Sequence, residues 1–352
     1  MRPYDVGDPA IDKALDDLVA SAAETSSAHG GDVVRELVVT SMKMLRDGTE
    51  RGDLKLMNSM LKEMRYSFLV FQHYREVRKV TMFGSARVEL HEPNYELAAA
   101  FAARMVDQHR WMVVTGAGPG IMEAGNRGAG SDFSFGVSVR LPFEDGANPF
   151  VHESRLINYK YFFTRKLTFV KESDAFVLFP GGFGTLDESF ELLTLMQTGK
   201  SDLHPVVMLE APGTGYWAPW LSFVNTLVDQ GMIAADDLSL FTVTSDLDEA
   251  IDEIRSFYAV YHSQRYVDGD LILRLTTEPT DGQVEELNAE FADIVRIGQI
   301  TKIGPTPAEI ASDDFVDLPR LRFRFDRRQF GRLRCLVDRL NGTERVRANE
   351  PK

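Results

Sequence analysis

Five short apolar runs, each closing near glycine or proline and each followed by an amphipathic stretch, dominate the middle of the chain. Residues 80–83 lead into Gly84 and Ser85, and residues 111–115 into Gly116, Ala117, Gly118, Pro119 and Gly120. Residues 135–139 end shortly before Pro142, residues 175–179 lead into Pro180, Gly181 and Gly182, and residues 205–209 end before Pro212 and Gly213. Helical patterns such as 95–109 and 162–172 lie between them. Buried strands alternating with helices make βαβ units and a parallel sheet. Such sheets take ligands at the carboxyl ends of their strands, where several of these glycine turns fall. The expected fold is α/β: a Rossmann-like, doubly wound parallel sheet over residues 79–262.

The flanks have a different texture. In residues 1–78, Ile11, Leu15, Leu18 and Val19 fall on one helical face. Val33, Val34, Leu37 and Met42 form a second such pattern, and Leu54, Leu56, Met57, Met60, Leu61 and Met64 a third. These spacings predict an N-terminal helical extension that serves packing or dimer formation. Residues 215–262 read as mostly helical. From Asp268 a small C-terminal α+β module follows, over residues 268–345. It has a strand at 271–275, a helix at 282–297, a strand in which Leu321, Phe323 and Phe325 alternate with Arg322 and Arg324, and a helix at 330–340. The arginine-rich stretch 320–347 reads as solvated basic faces, or as a contact with the acidic remainder of a dimer.

A chain of 352 residues can bury a large core and suggests two units. Its formal net charge of −14 disfavours nucleic acid as a partner. A small anion is still compatible, because local backbone dipoles outweigh overall charge. The first eighteen residues have no basic start followed by an apolar run, and no stretch approaches the roughly 18 apolar residues of a membrane span. No membrane partner is therefore expected, and a cytoplasmic location is. The single cysteine, Cys335, fits a reducing compartment and reads as a small buried or half-buried side chain. The seven histidines, among them His91, His109, His152 and His204, lack ligand spacing. Neither a metal nor another cofactor is expected.

The strongest local signal is PGGFGTLDE at residues 180–188, after one buried run and before a helix at 189–197. Glycines let the backbone turn tightly and approach a ligand closely. The exposed N–H groups and the dipole of the following helix suit a phosphate, and Thr185 can add a hydroxyl. Thr185 and Glu188 also have the spacing of a capping box, in which Glu188 only closes the first helical turn. Gly116, Gly118 and Gly120 resemble a dinucleotide fingerprint, but G-x-G-x-x-G places its last glycine at 121, where Ile121 stands. Arg140 lies where an acidic residue is expected. A tight turn lining a mononucleotide pocket fits better. Arg165 and Lys166 open a predicted helix. An arginine can fork onto a carboxylate, a phosphate or ribose hydroxyls, although such a pair is also the ordinary content of a solvated face.

Together these segments resemble the Lonely Guy (LOG) family, the cytokinin riboside 5′-monophosphate phosphoribohydrolases. The hallmark is an Arg-Lys pair followed by P-G-G-x-G-T-x-x-E, here Arg165, Lys166 and residues 180–188, within 80–210. The resemblance implies hydrolysis of the N-glycosidic bond of a nucleoside 5′-monophosphate such as AMP or a cytokinin ribotide, and at least a homodimer with sites near the subunit interface. It implies Arg165 and Glu188 as the catalytic pair. It implies Lys166, Gly181, Gly182, Phe183, Gly184 and Thr185 as substrate contacts, with Glu144 and Thr194 as further ones, and Gly84, Ser85, Gly116, Gly118 and Gly120 as the remaining turns. Phe162, Phe163 and Thr164 stand where the family often carries Met-His, and Ala117 and Pro119 where plainer glycines are common. These departures bear on the base more than on the reaction. Two rivals follow from the same residues. One is a nucleotide sensor or carrier without turnover. The other is a lysine decarboxylase, which needs a pyridoxal cofactor on a lysine.

Overall fold

The computed structural model describes residues 4–24, 30–139 and 146–343. They fall into two compact units, residues 1–65 and 66–352. The first unit is helical: α1 (Pro9–Glu24), α2 (Gly31–Arg46) and most of α3 (Arg51–Phe71). Its core is small, made of Val6, Leu15 and Val39 with Val38 and Met42 packed against it. Arg35 ties α2 to α1 through Asp16 at 2.5 Å. The helical spacing is real, but only part of the predicted faces is covered. Leu18, Val33, Val34, Leu37 and Leu61 remain exposed.

In chain order the second unit contains β1 (Lys79–Phe83), α4 (Pro93–His109), β2 (Met112–Thr115), α5 (Ile121–Ala129), β3 (Ser134–Val139), β4 (Leu156–Tyr159) and α6 (Phe162–Glu172). Then come β5 (Ala175–Leu178), α7 (Phe183–Gln197), β6 (Val206–Leu209), α8 (Trp217–Asp229), β7 (Thr242–Thr244) and α9 (Leu247–Phe257). The seven strands form one parallel sheet in the order β4-β3-β2-β1-β5-β6-β7. The apolar runs are continuous because both faces of the sheet are buried. Met112 and Val114 of β2, with Phe176 and Leu178 of β5, enter one core, where α6, α7 and α8 supply Phe169, Leu192 and Trp217. Val113, Ala175 and Val177 enter the other, against Phe101 of α4, Ala124 of α5 and Ile251 of α9.

The chain continues through β8 (Tyr261–Val267), β9 (Asp270–Leu275), α10 (Asp281–Glu290), β10 (Val295–Ile303), α11 (Pro307–Ser312), β11 (Arg320–Phe325) and α12 (Phe330–Leu340). These strands form an antiparallel sheet in the order β10-β11-β9-β8, and its Leu271, Leu273, Leu321 and Phe323 join the core shared with α6–α8.

The stretch 215–262 is mostly helical, as expected, with β7 and the start of β8 interrupting it. Two expectations need correction. The helix expected at 282–297 stops at Glu290, and β10 begins at Val295. The arginines of 320–343 are not all solvated. Arg320 is buried against Glu309 at 3.2 Å, and Arg334 is buried between Glu253 at 2.6 Å and Asp338 at 2.8 Å. Buried guanidinium groups require such partners, and here they fix α11 and α12 in place.

Candidate active site

The strand order reverses direction at β1, which lies between β2 and β5. The carboxyl ends of these three strands therefore meet at the topological switch point, where a crevice opens in folds of this type. Each end carries one of the glycine turns. Backbone hydrogen bonds stitch the turns together: Ser85 N–H donates to the Pro180 carbonyl at 3.0 Å, and Ile121 N–H to the Ser85 carbonyl at 3.0 Å. Close approach explains two glycines. A Cβ on Gly120, whose φ is +70°, would lie 2.3 Å from the Ser85 carbonyl oxygen, and one on Gly84 would lie 2.6 Å from the Ile121 side chain.

The third turn opens α7. Gly182 is the N-cap residue and the helix starts at Phe183, so Thr185 lies inside the first turn and no side chain caps it. The helix thus begins earlier than residue 189. The capping-box alternative for Thr185 and Glu188 is not what forms. Among the described residues, the N–H groups of Gly182, Phe183, Gly184 and Thr185 have no hydrogen-bond acceptor. They are the unsatisfied donors of a helix N-terminus. Gly181 is crowded, because a Cβ there would lie 2.1 Å from the Thr185 hydroxyl. Gly182 and Gly184 are not crowded. A Cβ on either would meet nothing within 4 Å, and neither has a positive φ.

Glu188 lies one turn further along α7. Its Oε1 accepts from Nη2 of Arg165, on the first turn of α6, at 2.8 Å. Both side chains are largely buried, 14% exposed for Arg165 and 12% for Glu188. Burial pushes the Glu188 carboxyl up to about 7, against the pull of Arg165 and Lys166. The Arg165 Nε is also buried, and among the described residues nothing accepts its proton. Phe162 and Phe169 lie under the same guanidinium, with ring centres 5.0 and 5.6 Å away.

These groups surround a cavity of about 930 Å³. It is lined by Gly84, Ser85, Gly116, Gly118, Arg165, Gly181, Gly182, Phe183, Gly184, Thr185 and Glu188. So eleven positions singled out in the sequence come together. Gly120 does not line the cavity but packs behind it. Lys166 does not line it either. Its Nζ bridges Asp187 at 2.8 Å and Glu191 at 2.7 Å. Burial works against its charge, but these two hydrogen bonds outweigh that and hold its pKa above the ordinary value. A lysine that forms Schiff bases needs the opposite shift. Thr194 is exposed on α7, where its carbonyl accepts from the Thr198 hydroxyl at 2.7 Å. Glu144 lies outside the described residues.

Phe162, noted in the sequence only as a departure from the family pattern, also lines the cavity. Other lining residues carried no signal in the sequence. Arg87 projects from the turn after β1 and has no acidic partner among the described residues. Met122, Val139 and Leu186 join Phe162 in an apolar wall, and Tyr216 stands at the start of α8. Only their tertiary positions distinguish them.

Parts of the chain are similar to known proteins. Residues 115–254 match a family model described as possible lysine decarboxylase. A cytokinin riboside 5′-monophosphate phosphoribohydrolase of Arabidopsis thaliana, LOG3, is 34% identical over 100 residues, 28% of this chain and 45% of that protein. The chain is similar to the LOG proteins over part of its length. A probable enzyme of the same description from Oryza sativa subsp. japonica, LOGL2, is 33% identical over 93 residues, covering 26% of this chain and 37% of that one. The chain thus spans less than half the length of the curated relatives it matches. Among solved structures, the molybdenum cofactor carrier protein of Chlamydomonas reinhardtii is 22% identical, with a TM-score of 0.36, over 51% of this chain and 96% of that one. Among the described residues, no helix is long and apolar enough to cross a membrane.

Proposed function

We propose that the chain is a nucleoside 5′-monophosphate phosphoribohydrolase. One observation carries the reading: a buried Arg165–Glu188 pair stands in the same cavity as four unpaired backbone N–H groups at a helix start. The N–H groups suit the 5′-phosphate. One turn along the helix, Glu188 then stands where the sugar of a nucleotide so anchored would lie. A sensor needs the first feature but not the second.

In this reading, the bond between ribose C1′ and the base nitrogen breaks, and water supplies the hydroxyl to C1′ and a proton to the base. The products are free base and ribose 5-phosphate. Positive charge develops on the ribose ring as the bond lengthens, as in other glycoside hydrolyses. The ionised Glu188 stabilises that charge and orients the water, while Arg165 holds Glu188 and the ribose in register. The apolar wall of Met122, Val139 and Phe162 suits a planar base. Anchoring at the phosphate fixes C1′ and removes part of the barrier through positioning.

The direct test is a panel of purine, pyrimidine and cytokinin nucleoside monophosphates, assayed for free base and ribose 5-phosphate. At least one should turn over, and the matching nucleoside without phosphate should be a far poorer substrate. Binding of every member without release of base would leave a carrier.

The pH profile provides a second test. Glu188 acts as the carboxylate, and its pKa in the free protein is about 7. The quantity kcat/KM should therefore rise about tenfold per unit as pH increases toward 7, then level off. A profile flat from pH 5 to 8 would remove Glu188 from the chemistry.

A further inference from the structure

We propose that Tyr216 is a positioning residue for the phosphate turn: its hydroxyl holds the Gly181 carbonyl and so aims the Gly182 N–H into the cavity. The proposal rests on the phosphate-binding reading above. The Tyr216 Oη donates to the Gly181 carbonyl oxygen at 2.5 Å. In a planar trans peptide, the carbonyl and the following N–H point in opposite directions. Holding the one therefore sets the other. The peptide in question joins two glycines, the residue type with the widest backbone freedom. Gly182 itself is exposed, so little packing on its own side restrains it.

Tyr216 is anchored well enough to act as a strut. Glu210, buried at the end of β6, accepts from the Tyr216 N–H at 2.5 Å and the Trp217 N–H at 3.4 Å. The Tyr216 ring meets the fully buried Trp217 ring edge-on at 4.9 Å. Backbone, ring and hydroxyl are thus each held, and the sheet is connected through β6 to the turn after β5. Tyr216 also lines the cavity, which raises the question of direct contact. A phenol has one proton to donate. That proton is committed to Gly181, and a phosphate, which accepts only, gains nothing from the lone pairs that remain. The effect on a phosphate therefore passes through the turn.

The test compares Glu188→Gln with Glu188→Gln/Tyr216→Phe by calorimetry, using AMP, ribose 5-phosphate and adenosine as probes. The Glu188→Gln background prevents turnover from disturbing the heats. Removing one positioning hydrogen bond should weaken AMP and ribose 5-phosphate about five- to tenfold, while adenosine affinity stays the same. In the otherwise native protein, Tyr216→Phe should raise KM by a similar factor and leave kcat within about twofold, the mark of lost ground-state binding. The melting temperature should fall by only about 2–4 °C, since one hydrogen bond is lost and the ring is retained. Equal loss for AMP and adenosine would mean that Tyr216 only packs, and no loss for either would also overturn the proposal. If Glu188→Gln itself binds AMP no better than adenosine, the phosphate-binding reading falls, and this proposal with it. The two failures are therefore distinguishable.

Discussion

Glu188→Gln should lose turnover by on the order of 10³-fold, the scale on which positioned acid–base groups act, while still binding AMP. The same change should stabilise the protein at alkaline pH. A carboxyl whose pKa is raised by folding favours the protonated form when folded. Its contribution is fully present below its unfolded value of 4.5, and is lost as pH rises toward the folded value of about 7. Glutamine carries no such ionisation. The melting temperatures of the two proteins should therefore nearly coincide at pH 4, separate between pH 4.5 and 7, and stay apart above that, with the variant more stable by up to about 3 kcal/mol. Thermal denaturation across that range reads the gap, and a nucleotide assay reads the loss. Full turnover in the variant would remove Glu188 from catalysis. A variant less stable than the native protein at pH 8 would mean that the Arg165 pairing outweighs the cost of burying the charge. The two readouts together describe a site that sacrifices stability to keep a carboxylate where water is scarce.

The central strands were legible because burial on both faces leaves an unbroken apolar run, and β1, β2, β5 and β6 are buried throughout. Margin strands give a weaker signal. In β4, Leu156 and Asn158 are not buried, and in β7 only Thr244 is. Three or four residues with one covered face look like ordinary loop. In the C-terminal module, β11 showed clear alternation because Leu321, Phe323 and Phe325 are buried while Arg322 is exposed. β10 did not, because Arg296, Ile297, Gly298 and Gln299 are all exposed and its pairing with β11 is irregular. The same logic divides the site. PGGFGT, Arg165 and Glu188 form a local pattern with a chemical meaning. Arg87 and Tyr216 look like any surface arginine and tyrosine until the fold brings the turn after β1 and the start of α8 to one cavity. Lys166 shows the reverse case. Its neighbour Arg165 faces the cavity, and one step along the helix turns Lys166 toward Asp187 and Glu191.

The glycines separate structural from ligand-facing roles, and Gly120→Ala against Gly182→Ala makes the separation measurable. At Gly120 an added Cβ meets the Ser85 carbonyl at 2.3 Å and the Ala86 backbone at 2.8 Å, in a backbone conformation with φ of +70°. Neither obstacle is the flexible end of a side chain, so relief requires the turn after β1 to move. Strain in this positive-φ conformation, of about 1–3 kcal/mol, adds to overpacking of about 1–3 kcal/mol, so Gly120→Ala should lose about 3 kcal/mol of stability. Because Ile121 N–H and Ser85 N–H link the three turns, nucleotide affinity should fall with it. Gly182 has open space around it and a φ of −89°. Alanine there should leave the melting temperature unchanged, since nothing within the protein resists the methyl. The methyl instead occupies space beside the unpaired N–H groups. AMP should bind at least about tenfold more weakly, while adenosine, which does not reach the turn with a phosphate, should be little affected. If Gly182→Ala keeps its affinity for AMP, the phosphate lies elsewhere, and the openness of this turn must have a cause other than the ligand.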